Sequence, residues 1–463
     1  MPFPIEIFES IINLLRNDPN SLKSCSLVCY NLALLTRKHI FKAITIDFGY
    51  LFGIQRKVQR YAVKDGPSLP PSIQCALNIL DTPTLAHHLR HVRIQNYDER
   101  GLRRWNLTPA TPAHVALCLI LGAIERLDSF ALSLDRLAYD HGVANRLCQP
   151  AEAELIAMFK RARVSEVNLQ FVTHLPIERI ALDCPDIRKL GFVNCGNQSD
   201  HGQFMHNLPS QLEERCGHLE SLVLSLKSTD YYHRLRDATQ IPHARLDLTR
   251  LRELSILGSG ERLMRTADQV WTDAGASLER LTWHMNWVPL PGNLLNYTWT
   301  RDSAHELPFR HTLRSLRLSF GFCGSGAEPF GELEWLQSAL YKSSQVVGPS
   351  ALEELVMVLS TASPPVSCTG GRQKQLMELD AHLNAVERYP HFRRLAVFIH
   401  FAPFFETTTA PPCTKDEFSC SIMREMPMLS KRGILMVRWL DVKRGEAGLD
   451  MALQVLEGEE VGI

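Results

Sequence analysis

The sequence predicts an α/β chain: a small helical segment at the N-terminus, then an irregular array of strand-and-helix repeats around a parallel sheet. Three observations carry this expectation. Apolar residues at helical spacing crowd the stretch from Pro4 to Phe41. A short pattern, apolar-x-x-apolar-x-apolar, then returns ten times between Leu89 and Val397. Helical apolar spacing fills several gaps between its copies, over 152–163, 330–341 and 372–389.

The helical segment comes first. Pro4 suits the first turn of a helix, where its missing N–H has no partner to lose. Ile5, Phe8, Ile12 and Leu15 follow helical spacing, and Ile7, Ile11 and Leu14 widen the stripe. Such a helix is apolar around more of its circumference than a lone surface helix buries. Asp18 before Pro19 predicts an N-cap and a second helix, with Leu22, Cys25, Val28 and Cys29 on one side. A third helix is predicted from about Asn31 to Phe41. Three short helices bury too little surface to be stable alone, so the segment needs a partner.

The same residues carry a resemblance. Pro4-Ile5-Glu6-Ile7, Ile11-Ile12, Leu15, Ser21-Leu22, Cys25-Ser26-Leu27-Val28-Cys29, Arg37 and Ile40-Phe41 occur in the order found in the F-box. This chain is similar to that family over residues 1–46 of 463, and its later motifs look most like the F-box-like proteins of mushroom-forming fungi. Phe3 and Leu32 depart from the pattern, each with another large apolar residue. The resemblance implies a substrate receptor of a cullin-type (SCF) ubiquitin ligase, with no catalytic residues of its own. It implies docking on a Skp-type adaptor through Pro4, Ile5, Ile7, Ile11, Leu15, Leu27 and Val28.

Residues 47–88 read as a linker and N-terminal cap, 89–456 as the array, and 457–463 as an acidic, frayed tail. The repeated triplets are Leu89-Val92-Ile94, Leu127-Phe130-Leu132, Val164-Val167-Leu169, Ile187-Leu190-Phe192, Leu219-Leu222-Leu224, Leu251-Leu254-Ile256, Leu278-Leu281-Trp283, Leu313-Leu316-Leu318, Leu352-Leu355-Met357 and Phe392-Leu395-Val397. Ile177-Ile180-Leu182 is a half-match, and Ile434 to Trp439 reads as a closing strand. The pattern resembles the strand signature of leucine-rich repeats, which implies a βα solenoid with the triplets pointing into its core. Several copies start 32 to 39 residues apart, longer than the usual 20–29. The Asn or Cys that normally ladders after each strand is mostly missing, Asn194-Cys195 being the nearest imitation. Pro67 to Ser72, Ser363 to Gly371 and Thr407 to Thr414 read as loops.

Fifty basic and fifty acidic side chains leave no net charge, which removes the simplest case for nucleic acid or an anionic membrane as partner. No run approaches a membrane span, and Glu6, Glu9 and Arg16 interrupt any leader-like segment. Twelve cysteines in this length, several in apolar segments, fit a reducing compartment, cytoplasm or nucleus. Gly321, Gly324 and Gly326 fit neither nucleotide fingerprint, and there is no nucleophile elbow or zinc helix. Cys25 and Cys29 lack a second ligand pair, and Cys413 and Cys420 stand too far apart to mean more. His87-His88-His91 reads as a solvated edge rather than a metal site, and no cofactor is expected. Trp271, Trp283, Trp287, Tyr297 and Trp299 admit two readings, core filling or binding anchors.

The intervening strand positions are expected to face a target protein. They mix signs but lean basic, which leaves two readings: a surface that reads an acidic or phosphorylated segment, with Arg252, Arg280, Arg314 and Arg317 as candidate target-binding residues, or a solvated surface with no preference. Two alternatives stand beside the receptor reading. One is a free-standing interaction scaffold whose N-terminal helices merely cap the array. The other is a hydrolase or transferase on an α/β fold, which needs titratable groups converging in a deep pocket.

Overall fold

The computed structural model describes residues 4–48, 71–97, 112–134, 147, 149–173, 175–196, 217–241, 244–258, 261–274, 277–284, 311–322, 331–345, 349–361, 371–401 and 415–440. It divides into two compact units, Met1–Leu219 with Lys227–Leu248, and Glu220–Leu226 with Thr249–Ile463.

The first unit opens with α1 (Ile5–Leu14), α2 (Pro19–Ser26) and α3 (Tyr30–Ile40). Pro4 takes the N-cap position of α1. Asp18 caps α2, its carboxylate accepting the N–H groups of Asn20 at 3.0 Å and Ser21 at 3.2 Å. The Ser21 hydroxyl adds a third bond at 2.5 Å, and these donors hold the Asp18 carboxyl below its usual value. Three helices thus form where three were expected.

The parallel sheet of this unit follows in chain order: β1 (Ala43–Asp47), β2 (His91–Tyr97), β3 (Ser129–Leu134), β4 (Glu166–Gln170) and β5 (Lys189–Val193), each paired with the next. Between them lie α4 (Pro71–Leu80), α5 (Pro83–Ala86), α6 (Pro112–Ala123), α7 (Gln149–Ala162) and α8 (Ile177–Asp183), followed by α9 (Thr229–Thr239). β6 (Gly217–His218) pairs with β8 (Leu246–Asp247), while β7 (Ser221–Ser225) falls in the second unit. There β7, β9 (Glu253–Leu257), β10 (Arg280–His284), β11 (Ser315–Phe322), β12 (Glu354–Thr361), β13 (Arg394–Phe401) and β14 (Leu435–Leu440) again pair parallel in chain order. Its helices are α10 (Glu261–Ala274), α11 (Gly331–Gln345), α12 (Gly371–Leu383), α13 (Lys415–Glu425) and α14 (Pro427–Lys431).

Register explains why the triplets recur. Val92, Phe130, Val167 and Leu190 are matched across β2–β5, as are Ile94, Leu132, Leu169 and Phe192. In the second unit Leu222, Leu254, Leu281, Leu316, Leu355 and Leu395 form one continuous row, and Leu224, Ile256, Trp283, Leu318, Met357 and Val397 the next. Every member of these rows is at most 2% exposed. A one-residue slip in any strand sends its whole row to the other face, so the apolar pattern fixes the pairing. At Asn194-Cys195, where Asn194 adopts φ 53°, the Cys195 thiol donates to Leu169 O at 3.2 Å.

Several expectations need correction. The helical stretch ends at Ile40, and Ala43–Asp47 joins the sheet beside β2, so the expected boundary at 46 cuts a strand. Ile177-Ile180-Leu182 is α8, not a strand; its first spacing, three residues, serves a helix equally well. Pro71 and Ser72 open α4 rather than extending a loop, and the Ser72 hydroxyl donates to Asp47 O. Helix α12 stops at Leu383, and Val386 beyond it is 57% exposed. The loops at 363–370 and 407–414 and the tail at 457–463 lie outside the described residues.

Candidate functional site

Only Ile12, Leu22 and Thr36 are buried among the described residues of α1–α3. The rest of the apolar stripe faces out. Ile5 is 51% exposed, Ile7 and Ile11 45%, Leu14 85%, Leu27 86%, Val28 71%, Tyr30 72% and Leu34 42%. Helical geometry makes this unavoidable: Phe8, Ile12 and Leu15 at i, i+4, i+7 turn inward, and the flanking apolar positions are left outside. Of the expected adaptor-facing residues, Pro4, Ile5, Ile7, Ile11, Leu27 and Val28 are exposed, while Leu15 is half-buried. Tyr30 and Leu34 belong to the same helices and were not singled out from sequence, while Leu14 was read as part of the stripe but not as adaptor-facing. Exposed aliphatic and aromatic groups in this density make α1–α3 a candidate interaction surface.

The second set of residues lies at the strand starts of the second unit. The residue after the first apolar position of each repeat accepts two N–H groups of the next repeat on its carbonyl. Arg252 and Glu253 donate to Glu220 O, Glu279 and Arg280 to Arg252 O, Arg314 and Ser315 to Glu279 O, Glu353 and Glu354 to Arg314 O, and Arg393 and Arg394 to Glu353 O. Read down this row, the side chains are Glu220, Arg252, Glu279, Arg314, Glu353 and Arg393: the sign alternates at every step. Opposite charges on neighbouring strands stabilise the pairing, and like charges oppose it.

The candidate target-binding arginines sit within this ladder and are largely matched by their own chain. Arg280 donates to Glu253 at 2.5 Å, and Arg314 lies 3.6 Å from Glu353. Arg317 donates to Ser315 Oγ and Glu354, both at 3.3 Å, with its side chain only 11% exposed. Burial pulls its pKa below the usual guanidinium value, and the Glu354 carboxylate works against that. Arg252 is exposed. Arg393 and Arg394 join Glu353 and Glu354 from the other side, Arg394 at 3.0 Å. The face opposite the leucine rows is not uniformly polar either: Val356, Val358 and Ala396 are buried on it, with Phe398 and Met436 packed against them.

Other candidates resolve into core. Trp283 is fully buried, donates to Gly258 O at 2.9 Å, and meets Trp335 edge-on at 5.3 Å; Trp271 is 2% exposed. Trp287, Tyr297 and Trp299 lie outside the described residues. Tyr231 donates to Val172 O and accepts from Leu175 N–H in a buried polar knot, and burial raises its phenol. Burial pushes the Cys184 and Cys195 thiols up to about 12, which leaves them inert. Among the described residues no group of His, Cys, Asp and Glu could hold a metal ion. The His87 and His88 rings approach to 3.8 Å at a 49° tilt, and the His88 pKa is lowered by burial and by His87. No helix among the described residues is long and apolar enough to cross a membrane.

The chain matches no protein-family model and no curated protein. The functional reading therefore rests on residues and geometry.

Proposed function

We propose that this chain is a substrate receptor of a cullin-type (SCF) ubiquitin ligase. Its N-terminal helices dock on a Skp-type adaptor, and its repeat array, leucine-rich-like in pattern, holds a protein target. The observation that carries the reading is the exposed apolar face of α1–α3, with Ile5, Ile7, Ile11, Leu27 and Val28 outward over a core of three buried residues. A segment this poorly buried gains stability from a partner that covers it. Receptor function needs no catalytic group, and the active chemistry belongs to other subunits. The proposal places the chain in the cytoplasm or nucleus, where that machinery operates.

The test is reconstitution: the full chain, co-expressed with a Skp-type adaptor, is expected to co-purify with it as a stoichiometric complex. Separate elution of the two would refute the adaptor role. It would leave the alternative, an interaction scaffold without a ligase role, whose N-terminal face serves some other contact.

A further inference from the structure

The charge ladder of the second unit ends at Arg393, which pairs with Glu353 and has no acid beyond it. Arg252 stands between Glu220 and Glu279 in the row, and Arg314 between Glu279 and Glu353. Arg393 has Glu353 on one side only. Continuing the register in which Leu395 faces Leu435, the next rung falls at Gly433 and Ile434, where no acid stands. The backbone pattern stops at the same place, because Gly433 and Ile434 donate their N–H groups within their own turn, to Ser430 and Leu429. Gly433 adopts φ 70°, and a Cβ built on it meets nothing within 4 Å, so the rung is open space. Arg393 and Arg394 border it with side chains 77% and 51% exposed.

From this we infer that Arg393, Arg394 and the open rung at Gly433 form a docking notch for two adjacent carboxylates on a protein segment. The chain itself supplies the template. Glu353-Glu354, an adjacent acidic pair at a strand start, engages the same two arginines from the inner side. Each guanidinium carries five N–H donors in a fixed fork, more than one shared carboxylate accepts, so the outer edges retain donors for a second acid. A discrete acidic pair fits better than a continuous polyanion, since Glu353 and Glu354 in the same ladder repel a long run of negative charge. The inference deepens the reading of the array as the target-holding part and rests on it.

Fluorescence anisotropy with the full chain tests this at low salt. The probes are labelled peptides Gly-Ser-Leu-Glu-Glu-Leu-Ser-Gly, its Gln-Gln counterpart and its bis-phosphoserine counterpart. The Glu-Glu peptide is expected to bind at least ten-fold tighter than the Gln-Gln peptide. That preference should vanish in Arg393→Gln/Arg394→Gln, with circular dichroism showing a native fold, and persist in Arg252→Gln. Equal binding of the first two peptides, no saturable binding, or a preference surviving the double substitution would overturn the notch. A phosphoserine peptide binding ten-fold tighter than Glu-Glu would overturn its carboxylate chemistry. Adaptor co-purification, scored on the same preparations, separates failure of this inference from failure of the receptor reading.

Discussion

Two neighbouring isoleucines make the docking reading testable at single-residue resolution. Ile11 is 45% exposed and Ile12 fully buried, one position apart on α1. Replacing Ile11 with Asp removes a side chain that the free protein leaves half in water, so stability should change by no more than about 0.5 kcal/mol, as at ordinary surface sites. The docked state loses more. Burying the remaining half of Ile11 contributes about 1 kcal/mol at the usual apolar coefficient, and an unpaired carboxylate driven into the interface costs about 2 kcal/mol or more. Together these give about 3 kcal/mol, or roughly a hundred-fold weaker adaptor binding. Leu27→Asp, at 86% exposure, should add a comparable loss from α2 and the turn that follows it. Ile12→Asp should instead collapse the helical segment, because the charge lands in a core of three residues with no partner. Isothermal titration against the purified adaptor, with circular-dichroism melts of each variant, reads both effects. Native affinity in Ile11→Asp/Leu27→Asp with a native melt would refute the assignment of this face.

Three further outcomes test the fold that carries these surfaces. Asp380 on α12 is 2% exposed and accepts the Met428 and Leu429 N–H groups at the start of α14, at 2.9 and 2.8 Å; Asp380→Ala should cost about 2–4 kcal/mol in chemical denaturation, and a loss under about 0.5 kcal/mol would contradict that tie. Leu254→Ala, in the middle of the leucine row, should cost about 2–5 kcal/mol. His284 is 2% exposed and its Nε2 has no partner; burial lowers its pKa from 6.5 to about 4. Between those values the unfolded chain binds the extra proton, so stability is full above pH 6.5 and falls by about 3 kcal/mol as the pH drops to 4, a slope that His284→Leu should flatten.

The last two residues of all ten apolar triplets became strand positions, the first entering the core just before each strand, because the sequence period and the cross-strand register are the same constraint seen twice. The ladder of alternating charge was present in the same letters but stayed hidden. Its neighbours stand tens of residues apart, and only the register places Glu279 beside Arg252 and Arg314. That is why the basic lean of Arg280, Arg314 and Arg317 read as an open surface, when Glu253, Glu353 and Glu354 already answer them. One missed signal was available. Leu355 to Leu359 and Leu395 to Ile399 are continuous apolar runs, the mark of strands buried on both faces, and they anticipate Val356, Val358 and Ala396 in the second-face cluster. Strand β1 gave less warning, since Ile44 and Ile46 alternate for only one period before residues 49–70 intervene. On α1 the stripe was legible, but which side of it faces inward depends on α2 and α3, and Leu22 and Thr36 decide that.

The two candidate surfaces follow from opposite ways of handling the same problem. A repeat array must keep its strands in one order, and the second unit does so with apolar rows inside and paired charges at the strand starts. Arg280 and Arg317 are answered on neighbouring strands by Glu253 and Glu354, while Arg314 stays 63% exposed beside Glu353 and Arg252 is exposed. The last rung, at Gly433, differs in carrying no acid beyond Arg393. The N-terminal helices solve nothing internally: with three buried side chains, most of their apolar surface remains to be covered by something else. A charged face spent on self-recognition cannot also read a target, whereas an apolar face left unspent is available to a partner. On that physical ground the proposed target contact is assigned to the open rung, and the proposed adaptor contact to α1–α3.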